Sequence, residues 1–355
     1  MLLAPFGPAA CCGERPPCRA IAQLNFPVPA RHAYRQDVPS AEGTLGVVGD
    51  VQRTSLEGCA LGNEVNDLEQ RVLLADLAER RPAATLLLGD LVFQGDSSRH
   101  WAYFDHLMSQ SGLGRTALFA LPGNHDYMFY GDLRHMTARF PRLRATTHDA
   151  LTWGGVRLLM LDANHDRLTP SEWQRQLHFL DCELANVQRG CARGVLLFAH
   201  QSPYTQSPWV SGDETLRRDV ASRFCASPAK LAFISAHAHG YERWVDVPIP
   251  GCLEEHTPFI VSAGGGGPRP PRRRNDAPHD SVHVEKWPAG RGFSDWPRPF
   301  NYLLLSQTDR ALRIEVYALA PIGGAVVLAE TIELPFEASK LAPDGAAPGA
   351  CSCPR

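Results

Sequence analysis

Nowhere does this sequence hold the run of about eighteen apolar residues that a membrane-crossing helix requires. Nor does it carry surplus positive charge, with 35 Lys and Arg against 38 Asp and Glu. The first absence leaves no transmembrane helix to expect. The second leaves no overall basic field to recruit nucleic acid or an anionic membrane surface. Also missing are the Gly-x-x-x-x-Gly-Lys loop that cradles nucleotide phosphates and the elbow motif that presents a serine nucleophile. What is left is a chain of 355 residues with an apolar fraction of 44%, the composition of a globular enzyme with one large domain or two modest ones.

Cysteine, by contrast, is plentiful. There are ten, with Cys11, Cys12 and Cys18 near the start and Cys351 and Cys353 at the end. Such tail cysteines suit an oxidising compartment, where Cys182, Cys191, Cys225 and Cys252 can pair as well, while scattered free thiols are the equal alternative. The expected location is extracytoplasmic, periplasmic or secreted, with the cytoplasm as the alternative. Met1 to Ala10 is apolar but lacks a preceding Lys or Arg and is short for an export signal, so it reads as a truncated one. Residues 1–42, rich in Pro, Cys, Ala and Arg without periodicity, are expected to form a leader or poorly ordered segment. Residues 43–335 then form the domain, and 336–355 a loose tail.

Within that domain, the apolar runs at 45–50, 85–90, 117–124, 156–162, 195–200 and 231–237 each end in polar residues. Each reads as a buried strand whose carboxyl end delivers a side chain to a common rim. Amphipathic helices separate them: Val65, Leu68, Val72 and Ala75 share one face, as do Trp101, Phe104 and Met108, and Trp173, Leu177, Leu180 and Leu184. The last helix has a start signal, since Thr169 caps it, Pro170 fits its first turn and Glu172 completes a capping box. Later runs at 258–262, 302–305, 312–317 and 326–334 read as strands without long intervening helices, which predicts βα units followed by a sheet that closes a sandwich. The Gly-, Arg- and Pro-rich stretch 264–295 is expected to be a surface loop.

Five pieces carry the chemistry: Gly49-Asp50-Val51-Gln52, Gly89-Asp90, Gly123-Asn124-His125-Asp126, His200 and His237-Ala238-His239. Carboxylate, amide oxygen and imidazole, with no thiolate, are the donors that hold a pair of hard-to-borderline cations such as Mn, Fe or Zn. Asp90 is the candidate bridge, because a carboxylate has two oxygens to share. In His237-Ala238-His239, alternate residues of an extended segment would lie on one side, so both rings face the metals. Taken singly, a strand-end Gly-Asp is a turn and His200 a structural histidine; it is their co-occurrence that points to a dinuclear centre.

In order, spacing and strand context the cluster resembles the calcineurin-like metallophosphoesterase family. Its run from His237 to Arg243 resembles the purple-acid-phosphatase-like branch. The resemblance implies an α/β fold, a four-layer αββα sandwich with two divalent or trivalent metal ions at the strand ends. It assigns Asp50 and His239 to one metal, Asn124, His200 and His237 to the other, and Asp90 to both. His125 would protonate the leaving oxygen, with Asp126 orienting its ring. Three departures stand out: Gln52 where many members have a histidine, Phe93 where purple phosphatases have a ligand tyrosine, and Ala236 in place of a glycine. Without the tyrosine no purple ferric site is expected, and Gln52 offers at most a weaker oxygen ligand. Asp-x-Gln also occurs in relatives that resemble dinucleotide-type diphosphatases.

The reading that follows is a metal-dependent phosphohydrolase acting on a small phosphorylated substrate, cleaving phosphomonoester, phosphodiester or nucleotide diphosphate bonds. Two metals would clamp the phosphoryl group and lower the pKa of a bridging water for in-line attack. The alternative is a non-catalytic metal-binding or scaffold protein that retains the fold. Asn164-His165-Asp166, Arg53 and the Arg272 to Arg274 cluster are weaker candidates, read chiefly as rim or solvated surface.

Overall fold

Short runs of Leu, Val, Ala and Phe, buried from end to end, form the strands that carry the rim. They are β1 (Leu45–Val48), β2 (Ala84–Leu87), β3 (Ala117–Ala120), β6 (Gly194–Phe198) and β7 (Lys230–Ser235). Continuous burial is what strands covered on both faces require. In the computed structural model, which describes residues 33–60, 62–128, 131–207, 210–269, 284–285, 299–320, 324–336 and 353, these strands divide between two sheets. The first has six strands in the order β13 (Val326–Pro335), β12 (Ala311–Leu319), β11 (Asn301–Gln307), β1, β2, β3. The second has seven, β10 (Val284–Glu285), β8 (Tyr241–Trp244), β9 (Phe259–Ser262), β7, β6, β5 (Val156–Met160) and β4 (Asp149–Trp153). β1, β2 and β3 are mutually parallel, as are β5, β6, β7 and β9, so their carboxyl ends gather along one edge of each sheet.

Residue alternation divides the first sheet between two cores. Leu45, Val47, Leu86, Phe119 and Leu303 face the second sheet, while Val48, Leu87, Leu118 and Leu304 face outward. The outward face is covered by α1 (Asp67–Glu79) and α2 (Ser98–Ser111), and the far side of the second sheet by α3 (Pro170–Asn186), giving the expected four layers. α3 starts as read, with the Thr169 hydroxyl accepting from the Glu172 amide and the Glu172 carboxylate accepting from the Thr169 amide. No helix among the described residues is long and apolar enough to cross a membrane.

Three expectations need correction. The buried face of α1 is Gln70, Leu73, Leu74 and Leu77, and Leu68 is 62% exposed. Polar Gln70 belongs to this face because its amide donates to the Val51 carbonyl at 2.6 Å and accepts from the Tyr103 hydroxyl at 2.7 Å. Packing also begins before residue 43, since Tyr34 is buried against Phe104 and Phe140 and its hydroxyl donates to Asp105 at 2.9 Å. At the other end, two residues assigned to the loose tail are held, Phe336 by burial and Cys353 by its bond to Cys182. Residues 1–32, most of 337–355 and most of the 264–295 stretch, with Arg272 to Arg274, lie outside the described residues.

Cys225 pairs with Cys252, and Cys59 and Cys191 are also in disulfides. The strands at β4, β8 and β10 have no counterpart in the sequence reading. The helix correction has a direct test: Leu74→Ala is expected to cost about 2–5 kcal/mol, and Leu68→Ala less than about 0.5 kcal/mol, by urea denaturation of each variant.

Candidate metal centre

Each proposed ligand follows a strand by two to four residues, where the backbone must turn sharply out of the sheet. Asp50, Asp90, His237 and His239 turn in the left-handed region, with φ of 57°, 50°, 70° and 52°. Non-glycine residues pay for that conformation in strain, which persists where the surroundings over-determine it and clusters at functional sites. The two histidines therefore do not lie along an extended segment as expected. The chain bends at each, with the Ala238 amide donating to the Ala236 carbonyl at 2.9 Å, and Ala238 still points away into the core.

The result is one cluster with Asp90 in its middle. Ligand atoms of Asp90, His200 and His237 all lie within 4.8 Å of one another, and so do those of Asp50, Asp90 and His239. His200 Nε2 is 3.3 Å from Asp90 Oδ2, 3.2 Å from Asn124 Oδ1 and 3.2 Å from His237 Nδ1. On the other side His239 Nε2 is 3.3 Å from Asp50 Oδ1. Gln52 is fully buried within the cluster, its amide nitrogen 3.1 Å from Asp90 Oδ2 and 3.5 Å from His239 Nε2. As it stands this amide donates to Asp90, and a half turn about its last side-chain bond would present oxygen to a cation at the same place.

Backbone groups hold the ligands at their angles. Nδ1 of His200 faces the Leu88 carbonyl at 2.7 Å and Nδ1 of His239 the Pro268 carbonyl at 2.6 Å, so each ring turns Nε2 to the cluster. The His237 amide donates to Asp50 Oδ2 and the His125 amide to Asp90 Oδ1, both at 2.9 Å. Glycine is required where these loops close on each other. A Cβ on Gly123 would stand 2.2 Å from Asp90 Oδ1, and Gly89, at φ 82°, leaves room for the Gly123 backbone.

Charge is balanced internally. Burial by itself would lower the His200 pKa, but the adjoining Asp90 carboxylate outweighs it and holds the ring at about 9. Burial works equally against ionised Asp90, yet His200 and the neighbouring imidazoles hold it well below the usual carboxylate range. His237, desolvated and beside His200, is pushed down to about 3. The site thus supplies carboxylate oxygens, amide oxygen and, at His237, unprotonated imidazole, and Asp50 Oδ1 and Gln52 Oε1 are buried without a hydrogen-bond partner. Buried oxygens without donors beside imidazole nitrogens fit a pair of cations of the Mn, Fe or Zn type.

A profile of the calcineurin-like phosphoesterases matches residues 43–241, which contain every residue of this cluster. The chain belongs to the calcineurin-like phosphoesterase family. No curated protein matches its sequence. Among solved structures, purple acid phosphatase PPD1 from yellow lupin seeds aligns over 89% of this chain and 57% of its own, with TM-score 0.58 and 18% identity. This calcineurin-like chain therefore spans little more than half the length of the lupin protein. GAP50 of Plasmodium, an anchor in the inner membrane complex, aligns over 84% of this chain and 90% of its own, with TM-score 0.57 and 11% identity. A dimetal phosphatase from Danio rerio aligns over 84% and 100%, with TM-score 0.53 and 15% identity. At these identities the likeness is one of fold.

The remaining sequence candidates of this family member fall in different places. His125 stands at the cluster's edge, its Nδ1 2.9 Å from the Phe93 carbonyl and its ring 4.8 Å from that of Phe93. Asp126 does not orient it. The Asp126 carboxylate turns the other way and accepts from the amides of Leu91 at 3.0 Å and Gly123 at 2.9 Å, tying the Asp90 loop to the Asn124 loop. Burial and nearby Asp90 raise its pKa. Arg53 is not free for phosphate, since it pairs with Asp67 at 2.6 Å and lies over the Tyr103 ring. His165 meets Asp213 at 3.1 Å, and Asn164 accepts from Gln201 at 2.7 Å, so this stretch knits the rim together. The carbonyls of Leu88, Phe93 and Pro268 escaped the sequence reading because any residue supplies a carbonyl.

If Asp126 is a tie between loops, Asp126→Ala leaves buried amides unsatisfied and costs about 1–3 kcal/mol for each. Calorimetric unfolding of the variant checks this, because a residue that only tuned His125 would leave the melting temperature in place.

Proposed function

We propose that this chain is a metal-dependent hydrolase of phosphoric esters, using Asp50, His239, Asp90 and Gln52 for one cation and Asn124, His200, His237 and Asp90 for the other. One observation carries the proposal: a single buried carboxylate, Asp90, belongs to both groups of convergent donors. Two cations bound there would polarise phosphoryl oxygens and generate a nucleophile at neutral pH. The chain's own residues do the rest. Asp90, fixed by the His125 amide, keeps the two halves of the site in register. His125, whose Nδ1 is committed to the Phe93 carbonyl, leaves Nε2 to give a proton to the departing oxygen. The class of ester, whether monoester, diester or nucleotide diphosphate, is the finer part of the proposal, and Asp-x-Gln at Asp50 and Gln52 supports keeping the nucleotide diphosphates in it. The disulfides support an oxidising, extracytoplasmic setting.

A second reading, an anchor or scaffold without turnover, draws on the fold shared with GAP50 and on Gln52 in place of histidine. The complete set of donors around Asp90 favours the enzyme.

Metal analysis paired with aryl phosphate assays separates the readings. The native chain is expected to hold two metals, and Asp90→Asn or His237→Ala to lose both loading and turnover. His125→Ala is expected to keep its metals and lose roughly 10²–10⁴ in rate, most with poor leaving groups. Undiminished turnover in Asp90→Asn would remove the mechanism, and a folded native chain without metal would favour the scaffold. Gln52→His is expected to tighten one metal only, since imidazole is the better donor, as a titration with Mn²⁺ or Zn²⁺ would register.

A further inference from the structure

Beside the metal centre, on the same rim, lies a cavity of about 420 Å³ that the mechanism above does not use. Strand register fixes where it is. β4 runs antiparallel to β5 with Asp149 opposite Met160, so His148, which lines the cavity, stands level with the carboxyl end of β5. β6 and β7 follow in the same sheet and end in His200 and His237. With neighbouring strands about 4.8 Å apart, the cavity's wall at His148 lies two to three strand spacings, roughly 10–15 Å, from those two ligands. Tyr127 forms the near wall, two residues beyond His125, held by a 2.5 Å hydrogen bond from its hydroxyl to Asp162 at the end of β5.

The lining is cationic although the protein is not. Arg144, Arg167 and Arg175 border the cavity, and their existing partners are weak. Arg144 donates to the Thr137 carbonyl at 3.3 Å, Arg167 has Asp166 at 3.5 Å, and Arg175 reaches Glu172 only at 4.0 Å. Glu172 is the one carboxylate in the lining, and it is already engaged by the amide and hydroxyl of Thr169 at 2.8 and 2.7 Å. Three arginines therefore border one space with most of their donors uncommitted, and guanidinium matches the oxygens of phosphate in a planar, bidentate way.

We infer that this cavity is a second anion subsite, which binds a phosphoryl group carried on the far end of the leaving portion of the substrate. The inference rests on the hydrolase reading and narrows it: preferred substrates bear two phosphoryl groups separated by about the rim distance of roughly 10–15 Å. The scissile one lies over Asp90 and the other between Arg144, Arg167 and Arg175. A monophosphate would fill only half of the site.

Hexane-1,6-diol bisphosphate compared with hexyl phosphate tests this, because the two share a leaving chain and differ in the distal group. In the metal-loaded protein the bisphosphate is expected to have the higher kcat/KM by about tenfold or more, and the ratio to fall toward one in the triple variant Arg144→Gln, Arg167→Gln, Arg175→Gln. A ratio near one in the native chain, or one unchanged in the variant, would overturn the inference. A second arm needs no turnover: calorimetric titration of the chelator-treated full chain with the bisphosphate. Binding weakened at least about tenfold by the triple substitution supports the subsite, and equal binding or none in the native chain overturns it. If neither ester is hydrolysed while this binding persists, the hydrolase reading fails and the anion site stands.

Discussion

A carboxylate sealed from water is costly unless neighbours hold its charge, and Asp90, with no exposed surface, is where that requirement is concentrated. It is met from four directions, by the amide of His125, the side chain of Gln52, and the imidazoles of His200 and His237, groups that belong to loops after β1, β3, β6 and β7. Loops from both sheets thus reach the same few atoms at this edge. The close approach of Gly123 and the Asp126 tie to Leu91 and Gly123 are further consequences of keeping that carboxylate in one place.

The rim also shows why a fold alone leaves function open. An anchor of Plasmodium and a phosphatase of zebrafish share this sandwich at similar levels of likeness, and what a sandwich does is decided by the side chains at its strand ends. Here Asp50, Asp90, Asn124, His200, His237 and His239 converge, and Gln52 is placed among them and not beside them. The formal charge of −3 likewise says little about the rim, where three arginines border one cavity.

The strands and the cluster were legible because buried Leu, Val and Ala runs that break off at Gly-Asp, Gly-Asn-His-Asp or His admit few other readings. The α1 face was not. Two stripes fit its periodicity, and the true one includes Gln70, whose burial depends on Val51 and Tyr103, residues that only the folded chain brings near. Asp126 was misread for a related reason: adjacency to His125 along the chain put its side chain on the opposite side. The bends at His237 and His239 were hidden because their left-handed backbone departs from what their residue types prefer, and the anchoring of Cys353 because disulfide partners cannot be read from spacing.

Those bends have a consequence for how such a site persists. Glycine adopts a positive φ without the penalty that aspartate and histidine incur. Replacing Asp50, Asp90, His237 or His239 by glycine removes a strained backbone, to the extent of about 1 kcal/mol or more each. The same exchange takes away a donor. In a chain that had no use for this centre, such drift would be resisted at Asp50 and Asp90, which accept the buried amides of His237 and His125, and eased at His237 and His239, so disuse would thin the imidazoles before the carboxylates.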